Sequence, residues 1–130
     1  MVIRTLFERV TRYAATDTAS FLDYYNDGVR WLVSQYGEKY VMDDGKRGVG
    51  EALSLDETSD VRKEYFTATL HYIVHLVSGS QDRYAMAQNA AESAYRLVWK
   101  KLSRGKILNI QATNDPYSAA VIRRGGDSDV

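Results

Sequence analysis

The 130-residue chain has no cysteine, one proline, two histidines and no formal net charge. Each scarcity removes a class of protein. Without cysteine there is neither a disulfide framework nor a thiolate metal site, so a secreted disulfide scaffold is excluded and an intracellular origin is expected. One proline leaves room for long uninterrupted helices. No run approaches the roughly 18 apolar residues of a membrane span. The opening Met1-Val2-Ile3-Arg4-Thr5 lacks the apolar centre of a signal peptide, so a soluble chain is expected. Seventeen basic residues balance seventeen acidic ones, so attraction to a polyanion is not built into the whole molecule and would need a local patch.

What is present is apolar periodicity and tyrosine. Ten of the fifteen aromatic residues are tyrosines, which combine apolar area with a polar tip and suit both a half-buried core and a partner surface. A chain of this size is one domain, burying roughly two-thirds of the surface its unfolded form exposes. The pattern predicts a first amphipathic helix from Arg4 to about Ala15, with Leu6, Phe7, Val10 and Ala14 on one face and Ile3 leading in. Thr16, Asp17, Thr18 and Ser20 place a break and an N-cap before Phe21. A second helix follows to about Tyr36, where Gly37 supplies a left-handed end. Its buried face is Phe21, Leu22, Tyr25, Gly28, Val29, Leu32 and Tyr36, with Asn26 and Asp27 beside it, where a helix surface gains little from them.

From Gly37 to Asp56 the helical period lapses. Tyr40-Val41-Met42 and Ala52-Leu53 are expected to flank a short hairpin turning near Asp44-Gly45. So long a connection in a compact domain is usually functional or disordered. It is read as a contact arm, with Tyr40, Met42, Lys46 and Arg47 meeting a neighbouring subunit. A third helix is expected from caps in Asp56 to Asp60 to about Val77, then a tight break at Ser78-Gly79-Ser80, which forces an antiparallel return. A fourth helix spans about Gln81 to Ser103, with Tyr84, Ala87, Ala91, Ala94, Tyr95, Val98 and Leu102 on one seam. Phe21, Leu22, Tyr25, Leu32, Tyr72, Ile73, Leu76, Ala91 and Val98 are expected to form the core. After Arg104-Gly105, Ile107, Leu108 and Ile110 suggest a short strand and Asn114-Asp115-Pro116 a turn. The expected organisation is all-α: a four-helix bundle over residues 1–104 with an arm at 37–56, then an extended tail over 105–130.

No constellation points to chemistry. His71 and His75 have the four-residue spacing that brings two imidazoles to one side of a helix, but no third histidine or cysteine completes a metal site, and Tyr72 stands where a His-Glu-x-x-His motif needs glutamate. The Asp43 to Glu51 stretch fails as a P-loop because Arg47 follows Lys46 and the glycine spacing is wrong. It also fails as a calcium loop, since Gly45, Arg47 and Ser54 fall at ligand positions. No catalytic residue, cofactor or metal is therefore expected. Arg96, Lys100, Lys101, Arg104 and Lys106 gather near the end of the fourth helix. There they compensate the helix dipole or meet an acidic partner or passing DNA.

Three segments in order, Leu22-Asp23-Tyr24-Tyr25-Asn26-Asp27-Gly28, His75-Leu76-Val77-Ser78-Gly79-Ser80-Gln81-Asp82 and Ala87-Gln88-Asn89-Ala90-Ala91-Glu92-Ser93-Ala94-Tyr95, resemble the head-tail connector adaptors of tailed phages. That resemblance covers Thr5 to Leu102 except the arm, and the arm and the tail depart from the simplest members. It implies a non-enzymatic virion protein that is assembled in the host cytoplasm. The protein would form a homo-oligomeric ring, twelvefold, beneath the portal protein at the head-tail junction. Such a ring extends the channel through which DNA passes and presents a surface to tail or stopper proteins. By the same resemblance the tail docks on the portal, through Ile107, Leu108, Ile110, Tyr117, Val121 and Ile122, with Arg123 and Arg124 for acidic groups. The competing readings are a helical DNA-binding regulator, which Asp23, Asp27 and Glu38 argue against in the groove-reading helix, and a generic partner-binding bundle.

Overall fold

The computed structural model describes residues 2–43 and 51–113, the stretch 105–113 as helix backbone only. The expected turn at Asp44-Gly45, the arm residues Lys46 and Arg47, and the tail residues Tyr117, Val121, Ile122, Arg123 and Arg124 lie outside the described residues. The protein is mostly helical, and the described residues hold isolated β-bridges but no strand. Two compact units divide the chain, residues 1–97 and 98–130.

In the first unit, α1 (Ile3–Thr11) buries Ile3, Leu6 and Val10 at helical spacing. It ends earlier than its period suggests. Phe7 meets Phe21 edge to face at 5.1 Å. Helix α2 (Thr18–Tyr36) begins where the caps place it, since the Asp17 carboxylate accepts the Ser20 amide at 2.8 Å. That bond favours the ionised form and lowers the Asp17 pKa. Phe21, Tyr25, Gly28, Val29 and Leu32 are buried along the expected face, while Leu22 and Tyr36 are half-buried. Gly37 closes α2 with φ +90° and ψ 148°, a positive φ that glycine adopts without strain but not the left-handed helical end expected.

The expected hairpin strand at Tyr40-Val41-Met42 is instead a single helical turn, α3 (Glu38–Val41), followed by a bridge from Met42 to Val61. The third long helix also starts later than its caps suggest. A 3₁₀ turn (Lys63–Tyr65) leads into α4 (Phe66–Ser78), because the polar groups of Asp56 to Asp60 are used in loop bonding rather than in helix capping. Helix α4 buries Ala68, Thr69, Leu70, Ile73 and Val74. Tyr72 and Leu76, expected in the core, are only half-buried. The break expected at Ser78–Ser80 is made by Gly79, which takes the left-handed conformation at φ +77° and ψ 7°, and its amide donates to the His75 carbonyl at 2.7 Å.

Helix α5 (Gln81–Thr113) begins two residues after Gly79. Within the first unit its buried positions are Ala87, Ala91 and Ala94, a seam of small residues. Tyr84 and Tyr95 flank the seam, half-buried. In the second unit Val98 is buried and α5 continues to Thr113. The strand expected at Ile107 to Ile110 and the break at Gly105 are therefore corrected. One glycine inside a helix costs only about 1 kcal/mol relative to alanine, and Lys106, Leu108, Gln111 and Ala112 after it are good helix formers.

Candidate interaction surfaces

The connection from Glu51 to Arg62 is a strap. Residues 51–62 form neither helix nor strand, yet their backbone is bonded to three helices. The first amides of α1 would be unpaired donors in an isolated helix. Here the Ile3 amide donates to the Glu57 carbonyl at 3.0 Å and the Arg4 amide to the Leu55 carbonyl at 2.8 Å. The Arg62 amide donates to the Val41 carbonyl, and the Asp43 amide to the Asp60 carbonyl, each at 2.8 Å. Ala52 and Leu55 are buried.

Asn26 holds the strap to α2, which the sequence reading missed. Its side chain is buried and bonds the Ala52 backbone twice, accepting the Ala52 amide at Oδ1 (2.9 Å) and donating from Nδ2 to the Ala52 carbonyl (3.2 Å). A carboxamide is the neutral side chain that offers both donor and acceptor at that separation, so it imitates a β-bridge partner. Beside it Asp27 pairs with Arg30 at 2.6 Å, and Arg30 reaches Glu51 at 3.1 Å. Tyr25 adds a 2.6 Å bond between its hydroxyl and Ser59 Oγ. Burial, partly offset by that bond, raises the Tyr25 pKa, so the phenol stays neutral.

This fastening changes what the arm can do. Met42 is turned into its own chain and offers no surface to a neighbour, and Tyr40 packs its ring on Tyr95 at 5.4 Å. Of the four arm residues expected to contact a second subunit, Met42 is buried, Tyr40 is half-buried, and Lys46 and Arg47 lie outside the described residues. Leu53, by contrast, stands 81% exposed on the strap, with Asp56 and Glu57 exposed nearby.

An aromatic group joins α2, α4 and α5. Trp31 stacks on Tyr72 at 4.4 Å and 10°, and Tyr84 leans on Trp31, Tyr72 and His75 at 6.1, 6.3 and 5.0 Å. Gly28 faces Tyr72, and a Cβ there would sit 3.4 Å from Tyr72 Cδ2, an ordinary contact. A second group stacks Tyr36 on Tyr95 at 4.9 Å, with Tyr65 fully buried beside Tyr36. Burial pushes the Tyr65 pKa well up. Many of the tyrosines are thus internal packing rather than a partner surface.

The two histidines have opposite tautomers. His75 Nδ1 lies 2.8 Å from the Ser80 carbonyl, so it carries the proton and donates. His71 Nδ1 receives a donor from Arg83 at 3.1 Å, so it is unprotonated. Burial and the Arg83 charge both lower the His71 pKa. The Arg83 guanidinium also lies over the Tyr13 ring at 4.5 Å. Each imidazole is thus committed to a structural bond, and among the described residues no group of three or more His, Cys, Asp or Glu could hold a metal ion. No helix among them is long and apolar enough to cross a membrane.

Toward the end of the described side chains, Arg96 pairs with Glu92 at 2.9 Å. In the second unit Trp99 is 48% exposed, and Lys100 and Arg104 are exposed one helical turn apart. Ile107, Leu108 and Ile110 lie on the helical backbone beyond them. Comparison with protein-family models, curated proteins and solved structures finds no match to this chain.

Proposed function

We propose that this chain is a structural head-tail adaptor of a tailed phage, a subunit of a twelvefold ring that sits beneath the portal and extends the DNA channel. The reading also takes α1, α2, α4 and α5 as a four-helix bundle in which α4 and α5 return antiparallel. The side-chain pairs His75 with Tyr84 and His71 with Arg83 support that return. What carries the functional reading is the ordered set of family-like segments, an aromatic-acidic run ending in Asn26-Asp27-Gly28, then a short polar turn and an alanine-rich helix. The geometry gives that run a physical task. Asn26 fixes the strap, and Asp27 orients Arg30 toward it.

By resemblance, portal contact falls to residues after Arg104, with Ile107, Leu108 and Ile110 at the end of α5. The test is native mass measurement and negative-stain imaging of the full chain, alone and mixed with a portal ring. The expected result is a closed ring seated on the portal. A stable monomer that leaves the portal bare would overturn the reading, and a salt-dependent shift of duplex DNA by that monomer would favour the DNA-binding regulator instead.

A further inference from the structure

The chain's balanced charge is not evenly distributed. Residues 51–60 hold four carboxylates, Glu51, Asp56, Glu57 and Asp60, and no cation. Residues 93–106 hold five cations, Arg96, Lys100, Lys101, Arg104 and Lys106, and no carboxylate. The strap also exposes one large apolar side chain, Leu53 at 81%, and the α5 stretch two, Leu97 at 53% and Trp99 at 48%. None of these exposures serves the fold. An exposed leucine or tryptophan bordered by charges of one sign is the make-up of an interface patch, where the apolar group anchors and the charges select the partner.

We propose that the strap of one copy, through Leu53, Asp56 and Glu57, docks on Trp99, Lys100 and Arg104 of a second copy. The occupant follows from charge. Arg4 on Asp56, Arg30 on Glu51 and Arg62 at the strap's end offset part of the strap's charge but not all of it, so a strap facing a strap still sets like charge against like, as does α5 facing α5. The unlike pairing is therefore the attractive one within a single sequence. Such a contact is heterologous, head to tail, and repeats into a ring or an open chain rather than stopping at a twofold dimer. The inference rests on the ring reading above and names its subunit contact. It also gives the strap's attachment a purpose, because a patch held by Asn26 and by the amides of α1 presents Leu53 without an ordering cost at docking.

The test compares three full-length proteins: the wild type, an Asp56→Lys/Glu57→Lys variant and a Lys100→Glu/Arg104→Glu variant. Assembly is followed by sedimentation velocity and native mass, and folding by circular dichroism. Each reversal should raise the protein concentration for half-assembly at least tenfold. An equimolar mixture of the two variants should recover assembly, because an alternating ring restores every unlike pair. Raising salt should weaken wild-type assembly. Leu53→Ser, at a position too exposed to support the fold, should weaken assembly severalfold if a charge reversal perturbs folding. Rings that form at wild-type concentrations in both reversals would overturn this contact and leave the ring reading intact. Failure of the mixture to recover would overturn the pairing in the same way. A monomer that stays monomeric at high concentration and on the portal would overturn both.

Discussion

The strap at 51–62 and the first-unit part of α5, residues 81–97, reverse the usual link between regularity and attachment. The strap has no helix or strand, yet it is bonded to α1, α2 and α3 through its backbone and buries Ala52 and Leu55. The helix satisfies its own backbone internally, so it is free to rest on its neighbours through side chains. It does so through an alanine seam and two tyrosines, leaving Met86 and Leu97 exposed. Attachment follows from where hydrogen bonds and apolar area go, not from the type of element.

The largest test of that contrast is a pair of truncations. Leu55→Ala should cost about 2–5 kcal/mol, as for other buried leucines. Leu97→Ala, at an exposed position of α5, should change stability by less than about 0.5 kcal/mol. Urea denaturation of both variants measures this directly. Similar losses at the two positions would mean that the strap is a passenger on the fold.

A somewhat smaller effect should follow from Asn26→Leu, which keeps the volume and removes both bonds to Ala52. Leaving that buried backbone pair unsatisfied should cost about 1–3 kcal/mol. Amide hydrogen exchange should localise the damage, with protection lost at Ala52 and at Ile3 and Arg4, whose amides depend on the strap. Protection unchanged at those three amides would show that α1 holds the strap without help from α2.

Asn26 also marks where the sequence was legible and where it was not. The helical stripes of α1, α2 and α5, the Asp17 cap and the Gly79 turn are local events, fixed by residues within one or two turns of each other. They could be read in order along the chain. The strap depends on Asn26 meeting Ala52, and on α1 amides meeting carbonyls at Leu55 and Glu57, pairings between residues far apart in sequence. Glycines at 45, 48 and 50 and the lapse of the helical period suggested an extended arm because nothing local said where the backbone donors would go. A polar residue one step off an apolar stripe, in a position where a helix surface gains little from it, was the available signal. Tyr72 and Leu76 erred in the opposite direction. Their spacing fits a buried face, but each is only half-buried. For the interaction residues, charge segregation was visible in the sequence, but the exposure of Leu53 and the burial of Met42 required the fold.

On the α2 face toward α4, the packing is looser than a glycine at a helix crossing suggests. A Cβ at Gly28 would meet Tyr72 at 3.4 Å and Thr69 at 3.9 Å, both ordinary contacts. Gly28→Ala should therefore stabilise the protein by up to about 1 kcal/mol, the helix-propensity difference. Gly28→Leu should instead force Tyr72 aside and destabilise. Thermal denaturation separates the two signs. A loss of stability with alanine would mean that α2 is as tightly held toward α4 as it is toward the strap.

The smallest effect concerns pH and should touch α5 alone. His71 accepts from Arg83, so its neutral form is the one the fold uses, and burial followed by the Arg83 charge holds its pKa below the ordinary value near 6.5. An unfolded chain then binds the proton more readily than the folded one, so stability rises with pH in this range. The contribution is complete above the unfolded value and is lost as pH falls through about 6.5 toward the lowered folded value. Protonation also turns the acceptor into a donor facing a guanidinium, which releases Arg83 from α4. Lowering the pH from 8 to 5.5 should therefore increase amide exchange around Arg83 at the start of α5, while Ala52 and Arg4 on the strap side keep their protection. In His71→Gln, whose side-chain oxygen can accept from Arg83 at every pH, the added exchange near Arg83 should disappear. Equal loosening of strap and helix in the wild type, or its persistence in the glutamine variant, would place the acid-sensitive group elsewhere.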